Sequence, residues 1–257
     1  MIELKKSFVL KRSEIAKKFR VENNNLDTTA LMQSTGYAVK RIFDVAYAHR
    51  TERNRKTTAS DTFRYVQISD IDVSLGRIKS FRSFRGDLAP NNARRIIQEG
   101  DVLVSTRRPT RGAVVAVPTE FDSQICTVFF TTLKIRDRRE IDPRYMALFL
   151  RTSLGRYQFS SLITETAYPV ISDEDVESMT ILVPPLEEQT AIADSYDQEV
   201  SNFFARLNDA YRLISQAQQG IEKAVLGEHA EFVPTKTFGL VEEAEIPVPE
   251  EEEEVAV

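Results

Sequence analysis

The strongest constraint in this sequence begins at Pro184-Pro185 and runs for more than five heptads. With Leu186 as position a, the a positions are Leu186, Ala193, Val200, Leu207, Ile214 and Ile221. The d positions are Gln189, Tyr196, Phe203, Ala210, Ala217 and Ala224. Eleven of these twelve are apolar, and no proline or glycine interrupts the pattern before Gly220. An apolar repeat of 3.5 residues held this long specifies a long helix with a single apolar seam, in coiled-coil style. Proline at its start and Glu187 and Glu188 in its first turn suit a helix N-terminus, where one amide hydrogen is not needed and negative charge is favoured. At 1.5 Å per residue such a helix spans about 60 Å. That is too long to bury against the domain before it, so part of the seam is expected to meet another helix. Alanine at three successive d positions lets that partner approach closely.

Ahead of the helix the chain alternates short β-like runs with loops. Phe63–Ile68 alternates apolar and polar residues, as a half-buried strand does. Asp101–Ser105 and Ala113–Val117 are β-branched runs joined by Thr106–Gly112, and Val128–Ile135 is the longest strand candidate. Asp142-Pro143 supplies a cap and a first-turn proline for a helix carrying Tyr145, Leu148, Phe149 and Leu154, with Gly155 to end it. Ser172 and Asp175 have capping-box spacing, which predicts a short helix before a strand at Thr180–Val183. A short amphipathic helix at Ser13–Arg20 and a loop at Glu22–Asn25 are expected nearer the N-terminus. Beyond Gly227, Pro234, Pro247 and Pro249 accompany the run Glu250–Glu254 and read as a disordered acidic tail. The fold class is therefore α+β: a β-rich domain over 1–183, a long helix over 184–227 and a tail over 228–257.

Charge is segregated along this plan. The net charge of −5 comprises a tail from Glu228 with ten acidic residues and one basic, and a stretch Ile141–Gly227 at −7. Lys40–Glu140 holds 20 basic and 12 acidic residues, an excess of +8 that is almost all arginine. An anionic partner for that block is the natural inference. Catalytic signatures are scarce by comparison. One cysteine and two histidines exclude a disulfide framework and most zinc or histidine-metal sites. No two glycines have G-x-G spacing, and no phosphate loop or nucleophile elbow is present. Val183-Pro184-Pro185-Leu186 lacks the polar and aromatic residues with which an amino-methyltransferase holds a flipped base. Glu3-Leu4-Lys5 is the only nuclease half-motif. No apolar run is long enough to span a membrane, and the expected setting is the cytoplasm.

What remains is a binding constellation. Arg107, Arg108 and Arg111 lie in the short loop Thr106–Gly112, where guanidiniums can grip phosphates or fork onto guanine edges. Arg77, Lys79, Arg82 and Arg85 interleave with Phe81 and Phe84, the phenylalanines being expected in the core. Arg50, Arg53, Arg55 and Lys56 form a third cluster.

Gly100-Asp101-Val102-Leu103-Val104-Ser105-Thr106 followed by Gly112-Ala113-Val114-Val115 resembles a segment of the target recognition domains in specificity subunits of type I restriction–modification systems. Pro169-Val170-Ile171-Ser172, then Thr180–Val183 and Pro184-Pro185-Leu186-Glu187-Glu188-Gln189-Thr190-Ala191-Ile192, is similar to that family's domain ending and long helix. The resemblance covers about Val39–Gly227. It implies a non-catalytic subunit that reads one half of a bipartite site in double-stranded DNA. Its helix would set the spacing and dock adenine methyltransferase subunits, with a restriction and translocase subunit as a further partner. S-adenosylmethionine, ATP and magnesium would then belong to those partners, and this chain needs no cofactor or metal. On this reading Arg77, Lys79, Arg82, Arg85, Ser105, Thr106, Arg107, Arg108 and Arg111 face DNA, with Thr166 and Tyr168 near the domain's end as further candidates. Leu186, Ala193, Tyr196, Val200, Phe203, Leu207, Ala210, Ile214, Ala217 and Ile221 form the helix interface.

The usual family member carries two recognition domains and two helices, whereas this sequence shows one of each and no internal repeat. Two copies pairing antiparallel, or pairing with a second specificity subunit, would restore the arrangement. The alternative is a stand-alone defence or regulatory DNA-binding adaptor that uses the domain without a methyltransferase; an intrinsic nuclease built on Glu3 is a third reading.

Overall fold

The structure, a computed structural model, describes residues 32–54, 58–163, 169–226 and 238–243. The helix expected at Ser13–Arg20, the loop at Glu22–Asn25, Glu3-Leu4-Lys5, Arg55 and Lys56 lie outside the described residues, as does most of the acidic tail. In chain order the elements are β1 (Ala38–Arg41), the one-turn α1 (Ile42–Val45), β2 (Ala46–His49), β3 (Thr62–Val66), β4 (Ile71–Asp72), β5 (Arg77–Ile78), β6 (Ser80–Arg85) and β7 (Ala93–Ile96). They continue with β8 (Val102–Ser105), β9 (Val114–Ala116), β10 (Ile125–Thr127), β11 (Phe130–Ile135), α2 (Pro143–Arg151), α3 (Ser153–Leu162), α4 (Asp173–Ser178) and β12 (Thr180–Val183). The long helix α5 (Leu186–Leu226) and the short β13 (Glu242–Glu243) complete the set.

Two sheets carry the domain. One is antiparallel, in the order β2-β11-β8-β9; the other runs β13-β6-β3-β10-β7, with parallel pairs at β3/β10 and β13/β6. The antiparallel sheet is covered on both faces. Val102, Val104 and Val114 pack with Met146, Leu150 and Phe159 of α2 and α3, while Leu103 and Val115 pack with Val66, Phe81, Phe121 and Phe130. A strand buried on both faces needs continuous rather than alternating apolar character, which explains the unbroken Val102-Leu103-Val104 run. The other face of the larger sheet holds Phe63, Tyr65 and Phe84, so Phe81 and Phe84 are core residues, as expected.

The capping box at α4 forms as its spacing predicts: Ser172 Oγ accepts from Asp175 N at 3.0 Å, and Asp175 accepts from Ser172 N at 2.8 Å. The helix expected to run to Gly155 is broken instead. α2 ends at Arg151, and Thr152 caps α3, its hydroxyl accepting from Gly155 N. Any side chain at 155 would collide with the Leu150 carbonyl, 2.3 Å from where a Cβ would sit.

β1 pairs antiparallel with β12, from Ala38 opposite Val183 to Arg41 opposite Thr180, so the domain closes just before α5 begins. α5 has 41 residues, about 60 Å at 1.5 Å per residue. Its seam divides along its length. Ala193 is buried and Leu186, Tyr196 and Val200 are half-buried near the domain, while Phe203, Ile214 and Ile221 are at least half exposed. Arg144 of α2 bridges to Asp194 at 2.8 Å and Asp197 at 3.0 Å, Tyr196 Oη donates to Leu75 O, and Tyr37 Oη donates to Glu188.

Within the tail, residues 238–243 return to the fold. Asn208 of α5 makes two hydrogen bonds with the Phe238 backbone, at 2.7 and 3.0 Å, and Tyr211 lies against the Phe238 ring. Arg77 stacks on Phe204 and donates to Leu240 O, and β13 adds to the β6 edge. This strap spans helix and sheet. Among the described residues no helix is long and apolar enough to cross a membrane.

Candidate nucleic-acid interface

The loop after β8 is built by backbone hydrogen bonds on both of its flanks. Thr106 N and Oγ1 both donate to Phe129 O, at 2.9 and 2.8 Å. Ser105 Oγ donates to Arg107 O at 2.8 Å, and Arg108 N to Pro169 O at 2.9 Å. Arg107 and Val170 form an isolated antiparallel bridge, and Ile171 N returns to Thr106 O. The loop then makes a 3-10 turn over Pro109–Arg111 that packs against α3, with Pro109 buried. Arg108 enters this turn at φ 50 and Gly112 leaves it at φ 75, both left-handed. Glycine is the default there; arginine in that region carries strain.

This turn presents two exposed arginines. Arg107 is exposed, with its guanidinium 4.0 Å above the Phe129 ring, and Arg111 is exposed. Among the described residues neither is in an ion pair. Arg156 of α3 is also exposed and borders Gly112, 3.4 Å from the position of a Cβ there. Sequence reasoning passed over Arg156 because it falls in the net-acidic stretch, and Phe129 because its neighbours are core.

The other basic candidates are mostly engaged. Arg85 forms a two-point pair with Asp87, Arg82 faces Asp70 at 3.8 Å, Arg50 pairs with Asp173, and Arg138 with Glu99. Arg53 is buried and donates to Ala93 O. Arg77 is turned to the strap, and burial lowers its pKa from the ordinary arginine value. Lys79 is exposed on β6's approach. The structure thus brings Ser105, Thr106, Arg107, Arg108 and Arg111 together and sets Arg77 and Arg85 apart from them. Thr166 and Tyr168 lie outside the described residues, but Pro169, next in sequence to Tyr168, is bonded to Arg108. A cleft of about 670 Å³ between α5 and the domain contains Arg138, Arg144 and Arg151, whose donors go to Glu99, to three aspartates and to Ser74 O respectively. Among the described residues no group of three or more metal-ligating side chains is assembled.

The family model for the type I restriction modification DNA specificity domain matches residues 35–208. The chain belongs to that family. It is 24% identical over 189 residues to the type I restriction enzyme HindI specificity subunit of Haemophilus influenzae, covering 72% of this chain and 36% of that protein. The HsdS subunit from Thermoanaerobacter tengcongensis matches in structure with a TM-score of 0.57 at 30% identity, over 77% of this chain and 52% of the other. A second chain, solved in a study of complex assembly and conformational transition of the type I R-M system, matches with a TM-score of 0.57 at 29% identity, over the same shares. This specificity-family chain spans about a third of the curated relative and about half of the solved ones. The family match covers β1 to β12 and the first half of α5, including the arginine turn.

Proposed function

We propose that this chain reads one half of a bipartite sequence in double-stranded DNA, with the turn Arg107–Arg111 set against the duplex. The observation that supports this reading is the Arg107–Phe129 stack in a loop hydrogen-bonded on both flanks, whose exposed Arg107 and Arg111 are in no ion pair among the described residues, in a family of DNA specificity domains. Guanidiniums held this way make phosphate contacts that fix register, and fork onto guanine where they reach the groove. The exposed half of the α5 seam, from Phe203 to Ile221, docks a second copy or another specificity helix and the adenine methyltransferase subunits. Methylation with S-adenosylmethionine, and ATP- and magnesium-dependent restriction, fall to those partners, and the chain itself is non-catalytic.

The test is duplex binding by the full chain as a function of salt, alone and with a cognate-operon methyltransferase. Affinity is expected to fall as salt rises, and Arg111→Ala to lower the slope of log affinity against log salt by about 1. Absence of duplex binding at low salt under both conditions overturns the reading.

A further inference from the structure

Beside the arginine turn lies a second feature. A cleft of about 190 Å³ is lined by Tyr65, Gln67, Ser69, Asn92, Thr127 and Phe129 among others. Phe129 belongs to both: one face carries Arg107, and its backbone carbonyl anchors Thr106. The cleft is therefore continuous with the turn and would meet the same length of duplex.

Its polar groups are presented from fixed backbone. Asn92 O accepts from Val128 N and Arg94 N, each at 3.1 Å, and Ala93 N donates to Pro90 O. Opposite, Ser69 sits in the 3-10 turn Ile68–Asp70, pinned by the buried Asp70, whose carboxylate accepts from Gln67 N at 2.8 Å and from Ser80 Oγ at 3.0 Å. The floor is Tyr65, whose phenol burial pushes above its ordinary pKa while Thr127 hydrogen-bonds it. Asn92 and Ser69 are exposed, and among the described residues the Asn92 amide makes no hydrogen bond. An amide with unused donors and acceptor, carried on fixed backbone beside an aromatic face, matches the chemistry of a base edge. An asparagine or glutamine amide forks onto adenine N6 and N7, and an apolar face contacts the thymine methyl group.

We infer that Asn92 and Gln67 are specificity-determining residues that read base edges, with A·T pairs preferred, while the neighbouring arginines hold the backbone. This inference rests on the DNA-reading function proposed above, and the experiment separates the two. Random-sequence duplexes are selected with the full chain and with Asn92→Ala, Asn92→Asp, Gln67→Ala and Arg111→Ala variants, each checked for unchanged melting. The wild type is expected to enrich a motif containing A·T pairs. Asn92→Ala and Gln67→Ala should each lose about 5- to 150-fold discrimination at one or two positions and retain the rest. Asn92→Asp, which only accepts, should move the preference at its position towards cytosine, whose N4 donates. Arg111→Ala should weaken binding with the motif unchanged. A wild-type motif kept intact by all Asn92 and Gln67 variants overturns this inference and leaves DNA reading standing; a wild type that enriches no motif, both alone and with the methyltransferase added, overturns both.

Discussion

Gln189 Oε1 accepts the backbone N–H of Asp142 at 3.0 Å, joining the first turns of two helices that lie 47 residues apart in sequence. Its Nε2 donates to Glu140 O at 2.9 Å and to Pro184 O at 2.8 Å, and the side chain is fully buried. This is the single polar residue among the twelve seam positions. Every hydrogen bond it makes fixes where α5 leaves the domain.

Gln189→Leu should therefore be more damaging than its size suggests. It keeps the apolar repeat but strands a buried N–H and two carbonyls, a loss of about 2–4 kcal/mol at roughly 1 kcal/mol or more for each group left unpaired. Gln189→Glu retains the acceptor for Asp142 N and removes both donations, so it should not rescue. Urea unfolding followed by far-ultraviolet circular dichroism measures both variants.

The two halves of the seam should respond differently. Ile214→Asp and Ile221→Asp lie where the side chains are mostly exposed, so the melting of the isolated chain should shift little while self-association or partner capture is lost. Ala193→Asp, in a fully buried position, should instead unfold the joint. Light scattering alongside a melt distinguishes assembly loss from unfolding.

The strap is testable through Asn208. Replacing it by alanine removes both bonds to Phe238, a loss of about 1–2 kcal/mol locally. Faster hydrogen exchange at Glu242 N, which donates to Lys79 O, is the expected readout; unchanged protection there would show that β13 holds without the helix.

Cys126 offers a pH handle. Burial pushes its thiol up to about 12, so it stays neutral in the fold while an unfolded thiol ionises near 9. The folded chain then binds the extra proton, and stability is full below pH 9 and falls from there towards pH 12, by up to about 1.4 kcal/mol per unit. Cys126→Ala should flatten that part of the pH–stability curve. The native thiol should also resist alkylation at pH 8 and react once the chain is unfolded.

The elements with local physical signatures were legible in the sequence. The capping box of Ser172, the buried runs of β8 and β9 and the heptads of α5 each carry their pattern in a short window. β7 and β10 were not, because Arg95 and Thr127 are buried polar residues that find partners across the fold: Arg95 reaches Phe130 O, and Thr127 meets Tyr65. Charge counting found the arginine turn but could not rank its members. Arg77 and Arg85 look alike in sequence to Arg107, and what separates them is Leu240, Phe204 and Asp87, all fixed by the fold. The same segment counting hid Arg156 in an acidic stretch, and a composition that reads as disorder hid the six residues of the strap.

Arg108 and Gly112, four residues apart, both have positive φ, 50 and 75. Both bracket the same turn in left-handed backbone, and only one has the residue that adopts it without strain. Arg108→Gly should stabilise the fold by about 1 kcal/mol while removing one cation from the turn. If the turn meets DNA as proposed, thermal robustness and that contact are set against each other at a single backbone angle, and a sequence optimised for robustness alone would carry glycine at both ends.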